Sequence, residues 1–157
     1  MNLLTLKPVI KVLNVDEDKV KDAMFEGVVV SAKMESDLSV LSEDEQKMYL
    51  KDLGIEESGL EKLIKQAFDT LGLQTFLTAG EIEARAWTIK KGTKAPQAAG
   101  VIHNDFERHF IKAECINWEE FVAVGGWLKA REVGKVRTEG RDYLMQEGDV
   151  VEFRVGV

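Results

Sequence analysis

Two polar segments follow short apolar runs in the first half of the sequence and could bind a purine base. Residues 14–17 (Asn-Val-Asp-Glu) end one run, and residues 31–33 (Ser-Ala-Lys) follow the run at 28–30. The carboxyl ends of parallel strands are where nucleotide sites form in open α/β sheets. An Asn side chain there can pair with a purine edge, and the backbone amides of a Ser-Ala-Lys loop can read the exocyclic group of the base. The alternative is an ordinary strand-to-helix cap by Asn14 and Asp16, which the spacing alone favours.

A second candidate site is a group of cationic side chains around Trp87 in the second half of the sequence. Basic residues beside an aromatic ring are typical of proteins that bind RNA through phosphate contacts and base stacking. A solvated strand and hairpin loop, with Trp87 in the core, explains the same pattern equally well. The four candidate contacts to RNA or to a ribosome are Arg85, Lys90, Lys91 and Lys94.

The sequence offers no motif for catalysis or for metal binding. It contains no G-x-x-x-x-G-K-[ST] motif to bind β- and γ-phosphates, and we assign no catalytic residue. His103 and Glu107 lie four residues apart on a predicted helix, but no further ligand has a suitable spacing, so we predict a surface pair and no metal. Cys115 lies on a predicted strand with no base near it in sequence, which predicts a buried structural thiol.

Composition and charge limit the class of protein further. The 157 residues are 45% hydrophobic and carry a net charge of −7, which residues 1–72 and 73–157 divide as −6 and −1. A nucleic-acid binder usually carries excess positive charge, so only the second half could approach a phosphate backbone without strong repulsion. The N-terminal apolar run is broken by Lys7 and Pro8, too soon for a signal peptide or membrane span, so no membrane contact is predicted. The single cysteine cannot form an internal disulfide, which predicts a cytoplasmic protein.

The elements that would position the first site form a small α/β unit. Residues 8–14 and 28–30 are predicted strands, and the charged residues 16–25 between them predict a helix, which together make a parallel βαβ unit with both sheet faces covered. Ser42 and Glu45 form a predicted capping box at the start of a helix that ends near Gly54. A further helix from Ser58 to Gly72 carries apolar residues at helical spacing, which predicts a face packed on the core.

The second half reads as a different architecture. Residues 74–79, 84–90 and 111–118 are predicted strands, Pro96 begins a helix that continues to Phe110, and residues 119–124 form a helical turn or two. Residues 143–145 and 150–155 are predicted to close the chain as a hairpin around a turn at 147–148. The order β-β-α-β-(short helices)-β-β is typical of a β-grasp, ubiquitin-like domain, so the predicted fold class of the whole chain is α+β.

Several segments resemble the YchF / Obg-like ATPase family. Residues 3–10 and 14–17 resemble the later part of its G domain, which in this family has the base-recognition motif N-x-x-E instead of N-K-x-D. The second half resembles the TGS domain, a β-grasp module also found in threonyl-tRNA synthetases and stringent-response enzymes. The segments that carry this second resemblance are 73–76 (LQTF), 85–89 (RAWTI), 94–103 (KAPQAAGVIH), 105–107 (DFE), 139–143 (EGRDY) and 148–150 (GDV).

The resemblance implies a domain organisation and a function. Residues 1–72 would be the C-terminal portion of a P-loop-type nucleotide-binding G domain with two helices, and residues 73–157 a TGS domain. The longer parent protein would bind and hydrolyse ATP or GTP with Mg²⁺ and associate with the ribosome or RNA, whereas this chain is predicted to be inactive alone and to bind no nucleotide tightly. By the same resemblance the residues around the base would be Asn14, Val15, Glu17, Ser31, Ala32 and Lys33.

Two alternatives stay open at this stage. The chain could instead be a stand-alone TGS module that binds RNA, ribosome or protein without catalysis, or it could be a protein–protein adaptor. In addition, two parallel strands taken from a larger sheet expose a hydrogen-bonding edge and an apolar face. Residues 1–42 are therefore predicted to be mobile or to be shielded by self-association of the chain.

Overall fold

The structure, a computed structural model, describes residues 3–80 and 82–156, and the chain divides into two compact units, Met1–Leu71 and Gly72–Val157. In the first unit, β1 (Val12–Asn14) and β2 (Val28–Val30) pair in parallel, with Asn14 opposite Val30. The predicted parallel pair is therefore present. Three helices follow: α1 (Ala32–Leu38), α2 (Glu43–Asp52) and α3 (Gly59–Leu71).

The connection between β1 and β2 differs from the prediction. The expected helix over 16–25 is wrong, because only a 3-10 turn at Glu17–Lys19 forms there. A short helix is marginal in water unless an apolar face packs on a neighbour. Met24 is fully exposed and Phe25 is 37% exposed, so this segment has no such packing. The two strands are joined mainly by loop.

Helix α1 was not predicted, although it begins inside a predicted site segment. Ser31 caps it by accepting a hydrogen bond from the Met34 backbone amide at 3.4 Å. Met34 and Leu38, one turn apart, are its buried side chains. Ala32 and Lys33 are therefore the first residues of a helix, and the expectation of a Ser-Ala-Lys loop is wrong.

The two later helices of this unit follow their sequence signals more closely. The capping box of α2 is confirmed, since Glu45 accepts a hydrogen bond from the Ser42 backbone amide at 2.9 Å. Helix α3 forms as predicted, but its apolar face is not packed on a core, because Leu60 and Ile64 are each 50% exposed. Only the start of α3 lies tightly on β2, and a sheet of two three-residue strands is too small to cover the remainder.

The second unit contains a five-stranded mixed sheet in the order β4-β3-β7-β5-β6. The first and last strands of the unit, β3 and β7, lie side by side in parallel at the centre. The strands are β3 (Leu73–Ala79), β4 (Ala84–Lys90), β5 (Phe110–Asn117), β6 (Arg137–Glu139) and β7 (Asp149–Val155). Together with the helix that packs on one face, this is the topology of a β-grasp fold, as predicted.

Four short helices accompany the sheet: α4 (Ala95–Ile102), α5 (Asn104–Arg108), α6 (Trp118–Val124) and α7 (Trp127–Glu132). Helix α4 faces the sheet with small buried side chains, Ala95, Ala98 and Ala99, which allow its backbone to lie close to Phe76. Cys115 is fully buried in the same core, and burial raises the pKa of its thiol to about 12. The prediction of a structural thiol is confirmed.

Two predictions within this unit are wrong. The expected continuous helix from Pro96 to Phe110 is broken at His103, whose backbone is extended and whose Nδ1 accepts a hydrogen bond from the Asp105 amide at 3.3 Å. His103 thus caps α5 instead of forming the i, i+4 surface pair with Glu107 that the spacing indicated.

The predicted closing hairpin is also absent. Residues 143–145 lie outside the strands, and β7 pairs with β3 and β5 instead. Met145 donates its backbone amide to the Thr93 carbonyl and accepts a hydrogen bond from the Gln74 side chain at 2.7 Å. Because these backbone groups are already satisfied, this segment is not available to form a ladder with β7.

Candidate functional site

A cavity of about 680 Å³ lies at the carboxyl ends of β1 and β2, in the first unit. Its volume is in the range of small-molecule sites. Five of the six residues predicted to surround a base line it, namely Asn14, Val15, Glu17, Ser31 and Lys33, and the remaining lining residues are Asp16, Asp18, Lys19 and Leu53. The two polar segments, separated by the loop between the strands, are thus brought to one place.

A hydrogen bond joins the two segments directly. The Asn14 side-chain oxygen accepts from the backbone amide of Ala32 at 3.0 Å, and the Val15 amide donates to the Val30 carbonyl at 2.9 Å. The first bond links the end of β1 to the first residue of α1. It orients the Asn14 amide at the cavity and brings Ala32, the sixth predicted residue, to its edge.

The alternative interpretation, a strand-to-helix cap by Asn14 and Asp16, is met by Asn14 but not by Asp16. Asp16 precedes the 3-10 turn but makes no side-chain cap bond, and its carboxylate pairs with Lys19 Nζ at 2.8 Å. This exposed pair lowers the pKa of Asp16. Asn14 does bind a helix start, but that of α1, eighteen residues further along the chain.

Glu17 is held from behind by a residue that the sequence analysis missed. The hydroxyl of Tyr49, on α2, donates a hydrogen bond to Glu17 Oε1. This bond, together with burial, raises the pKa of Tyr49 to about 12, so the hydroxyl stays protonated at neutral pH and continues to donate. The two residues lie 32 positions apart, and no local spacing signals their contact.

The other two predicted base contacts have different surroundings. Ser31 is 1% exposed and its hydroxyl already caps α1, so its side chain has a structural task. Lys33 is exposed at the cavity. In the part of the chain that the structure describes, no group of three His, Cys, Asp or Glu side chains could hold a metal ion, and we assign no Mg²⁺ ligand to this chain.

The four cationic residues of the second unit do not form one cluster, because Arg85 lies apart from Lys90, Lys91 and Lys94. Arg85 and Lys90 lie at opposite ends of β4, five residues or about 17 Å apart, and the odd separation puts them on opposite faces of the strand. The Arg85 guanidinium lies over the Trp87 ring, 4.2 Å from its centre. Lys94 pairs with Asp142 at 2.7 Å, and the Lys91 backbone closes the turn by donating to Gly72.

A buried ionic network in the second unit was also missed. Asp149 is 2% exposed and accepts hydrogen bonds from Arg137 at 2.9 Å, from the Tyr143 hydroxyl at 2.8 Å and from the Gln146 amide at 2.9 Å. Burial, and then the hydrogen bond to the Asp149 carboxylate, raise the pKa of Tyr143 well above its usual range. The network fixes residues 143–149 against β6, so the task of Asp149 is structural.

Within residues 3–80 and 82–156, no helix is both long enough and apolar enough to cross a membrane.

The strand order and the helix packed on one face define the second unit as a β-grasp domain, and it follows a unit whose parallel strands end at a polar cavity. The profile of the YchF-GTPase_C family, described as a protein of unknown function, matches residues 73–156. The chain therefore belongs to the YchF family and corresponds to its C-terminal part.

Two curated relatives match nearly the whole chain. The chain is 49% identical over 173 residues to the ribosome-binding ATPase YchF of Bacillus subtilis (strain 168), with 100% of this chain and 47% of that protein covered. It is 46% identical over 169 residues to the ribosome-binding ATPase YchF of Haemophilus influenzae, covering 99% and 47%. The chain thus spans about half the length of the curated relatives it matches.

Two solved structures have a similar fold. The Schizosaccharomyces pombe YchF GTPase superposes with a TM-score of 0.80 at 34% identity, covering 97% of this chain and 44% of that one. A GTP-binding protein from Pyrococcus horikoshii OT3 superposes with a TM-score of 0.60 at 20% identity, covering 96% and 46%. The second likeness concerns the fold alone.

Proposed function

We propose that this chain supplies the base-recognition part of a YchF-type nucleotide-binding protein that binds ATP or GTP with Mg²⁺, hydrolyses the nucleotide and acts at the ribosome. The observation that carries this proposal is the cavity at the ends of β1 and β2, where Asn14 bonds to Ala32 and where Val15, Glu17, Ser31 and Lys33 converge. In the proposed role Asn14 and the adjacent backbone contact the edge of a purine.

In this proposal the chain contacts the base, and other parts of the longer protein bind the phosphates and Mg²⁺. The sequence contains no phosphate-binding loop motif, and phosphate and magnesium contacts supply much of the affinity for a nucleotide. We therefore expect weak binding of the base by this chain and no turnover by the chain alone. ATP hydrolysis by the purified chain would contradict this expectation.

The test is a titration of the isotope-labelled chain with adenosine, which lacks phosphates and so reports on the base site alone. We expect saturable shifts of the Val15 and Ala32 amide resonances at millimolar concentration, which Asn14→Ala weakens at least tenfold. Asn104→Ala, an exposed asparagine of the second unit, is the matched control and leaves the shifts unchanged. Adenosine-induced shifts that are the same in Asn14→Ala as in the wild-type chain would contradict the proposal, and so would shifts of resonances in the second unit.

We propose in addition that the second unit is a TGS domain that binds the ribosome or RNA. The β-grasp fold supports this, as does the cationic rim that Lys90, Lys91 and Lys94 form at one end of β4 and the start of α4. The relatives from B. subtilis and H. influenzae carry the words ribosome-binding in their names. If the cavity of the first unit binds no base, the chain would act as a stand-alone binding module without catalysis.

Co-sedimentation with ribosomes at low and moderate salt tests the second proposal. Binding through phosphate contacts weakens as salt rises, and the double charge reversal Lys90→Glu with Lys91→Glu abolishes it. Arg85→Glu has a smaller effect, because Arg85 lies at the other end of the strand. Lys65→Glu, an exposed lysine of α3, is the control. Binding that does not change with salt or with these reversals would contradict a phosphate contact.

A further inference from the structure

We propose that Tyr49 is a positioning residue that sets the purine preference of the cavity by occupying one oxygen of the Glu17 carboxylate. The inference rests on the proposed base site. It adds a residue from α2 that has no place in the sequence motif and that acts on the base only through Glu17.

The two purines require different acceptors from a side chain that binds their edge. Guanine presents two neighbouring donors, the N1–H and the exocyclic amino group, which a carboxylate binds with both oxygens at once. Adenine presents one donor, its exocyclic amino group, next to an acceptor nitrogen. A carboxylate that is held by one oxygen and turned away from the base can therefore serve adenine with its other oxygen. It cannot present both oxygens side by side to the two guanine donors.

Glu17 has such a commitment in this structure. Its Oε1 accepts the Tyr49 hydroxyl proton, while the residue itself lines the cavity. The neighbouring carboxylate of Asp16 is paired with Lys19. Within residues 14–17, Glu17 is therefore the acidic side chain that can bind the edge of a purine. The Tyr49 bond also turns the longer glutamate side chain towards α2.

Helix α2 is well placed to hold this arrangement. Its first turn is fixed by the capping box, and Gln46 donates from Nε2 to the carbonyls of Leu38 at 3.0 Å and Leu41 at 3.1 Å. Leu53, the C-cap of α2 four residues after Tyr49, lines the cavity. One rigid element thus supplies both an apolar wall and the hydroxyl that restrains Glu17.

The test compares adenosine and guanosine titrations of the full chain, read at the Val15 and Ala32 amides. The wild-type chain is expected to bind adenosine more tightly than guanosine. Tyr49→Phe frees the carboxylate and is expected to raise the affinity for guanosine relative to adenosine about fivefold or more, the size of one two-pronged contact to a base. In the double variant Tyr49→Phe with Glu17→Gln this gain disappears, because an amide cannot accept from both guanine donors.

Tyr143→Phe is the matched control, since it too removes a hydroxyl that donates to a carboxylate, but in the second unit. It is expected to leave the ratio of the two affinities unchanged. If Tyr49→Phe fails to fold, Glu17→Gln alone tests the inference. It is expected to change the affinity for guanosine less than twofold, because the Glu17 carboxylate of the wild-type chain does not bind both guanine donors.

The outcomes separate this inference from the proposed function. Binding of adenosine that depends on Asn14, with a ratio that Tyr49→Phe does not alter, overturns the role of Tyr49 and leaves the base site standing. A fivefold loss of guanosine binding in Glu17→Gln also overturns it. If neither nucleoside moves the Val15 and Ala32 resonances, the base site itself is overturned, and the role of Tyr49 with it.

Discussion

The two units of the chain differ in what holds them together and in what they offer to a ligand. Of the sixteen buried apolar residues among those the structure describes, thirteen lie in the second unit and three, Val28, Met34 and Leu38, in the first. The first unit nevertheless has a cavity at which polar groups from two strand ends converge. The comparison indicates that the β-grasp unit supplies its own stability, whereas the first unit holds a site with little core beneath it.

The polar groups of the two units repeat the contrast. Asp149 is buried and fully bonded in the second unit, and its partners come from β6 and the segment before β7. In the first unit Asn14 and Glu17, which bond to Ala32 and Tyr49, line a cavity where a ligand can compete for their polar groups. Buried and satisfied polar groups specify a fold, while accessible ones are available for recognition.

The largest expected effect comes from the core of the second unit. Phe76→Ala removes a fully buried ring that packs on Trp87 and Phe153, and is expected to lower the free energy of unfolding by about 3–5 kcal/mol. All three tryptophans lie in this unit, so tryptophan fluorescence in a urea titration follows its unfolding alone. Phe25→Ala, in the first unit, is the matched control and should not move the tryptophan transition. An equal shift for both variants would contradict independent units.

A second prediction concerns the buried network at Asp149. Asp149→Asn leaves Arg137 and the Tyr143 hydroxyl without their charged acceptor and is expected to cost about 3 kcal/mol in the same fluorescence titration. Asp142→Asn breaks an ion pair with Lys94 in which the aspartate side chain is 93% exposed, and should leave the unfolding transition almost unchanged. If the two variants proved equally stable, the network would not hold the segment.

Acid should destabilise the second unit through Glu114. The hydrogen bond from Lys112, and that from Arg131, lower the pKa of Glu114 from 4.5 to about 2 in the folded chain. A carboxyl with a lowered pKa contributes stability above its unfolded pKa and loses that contribution as pH falls. We expect a loss of about 2 kcal/mol between pH 4.5 and 2, measured by urea titrations at several pH values. Glu114→Gln flattens that dependence; an unchanged slope would exclude Glu114 as its source.

The smallest expected effect tests the packing of α3 on β2 in the first unit. A Cβ at Gly59 would lie 2.8 Å from the Val30 Cα, so Gly59→Ala pushes the helix away from the strand. We expect a cost of about 1 kcal/mol, because the small unit can adjust. Its measure is faster exchange of the Val15 amide, which bonds to Val30. At Gly80 the nearest atom would be 3.6 Å away, so Gly80→Ala is the control, and equal exchange in both variants would contradict close packing.

Local signals in the sequence were sufficient for the parts of the fold that depend on neighbouring residues. The capping box at Ser42 and Glu45 is a contact across three residues, and it is present as predicted. The succession of β3, β4, α4 and β5 along the chain followed from the apolar runs, whereas β6 was not predicted. The short helix α1 was hidden because only Met34 and Leu38 mark its buried face, and a run of seven residues gives periodicity little room.

Contacts between distant residues could not be predicted in this way. Tyr49 reaches Glu17 from 32 residues away, and Asp149 gathers Arg137 and Tyr143 through the tertiary fold. The predicted hairpin at 143–155 failed for the same reason, because Thr93 and Gln74 satisfy the backbone of Met145. The candidate base residues could be named from two short segments and a family resemblance, while the residue that restrains Glu17 required the folded chain.

The most direct test of the contrast between the units is residue-resolved amide hydrogen exchange, with and without saturating adenosine. We expect the amides of β3 and β5 to exchange slowly and at the same rate in both conditions, because their exchange requires unfolding of the β-grasp core. The Val15 and Ala32 amides should exchange rapidly in the free chain and slow at least tenfold with adenosine. Equal protection of both units without ligand, or a slowing confined to the second unit, would contradict the account.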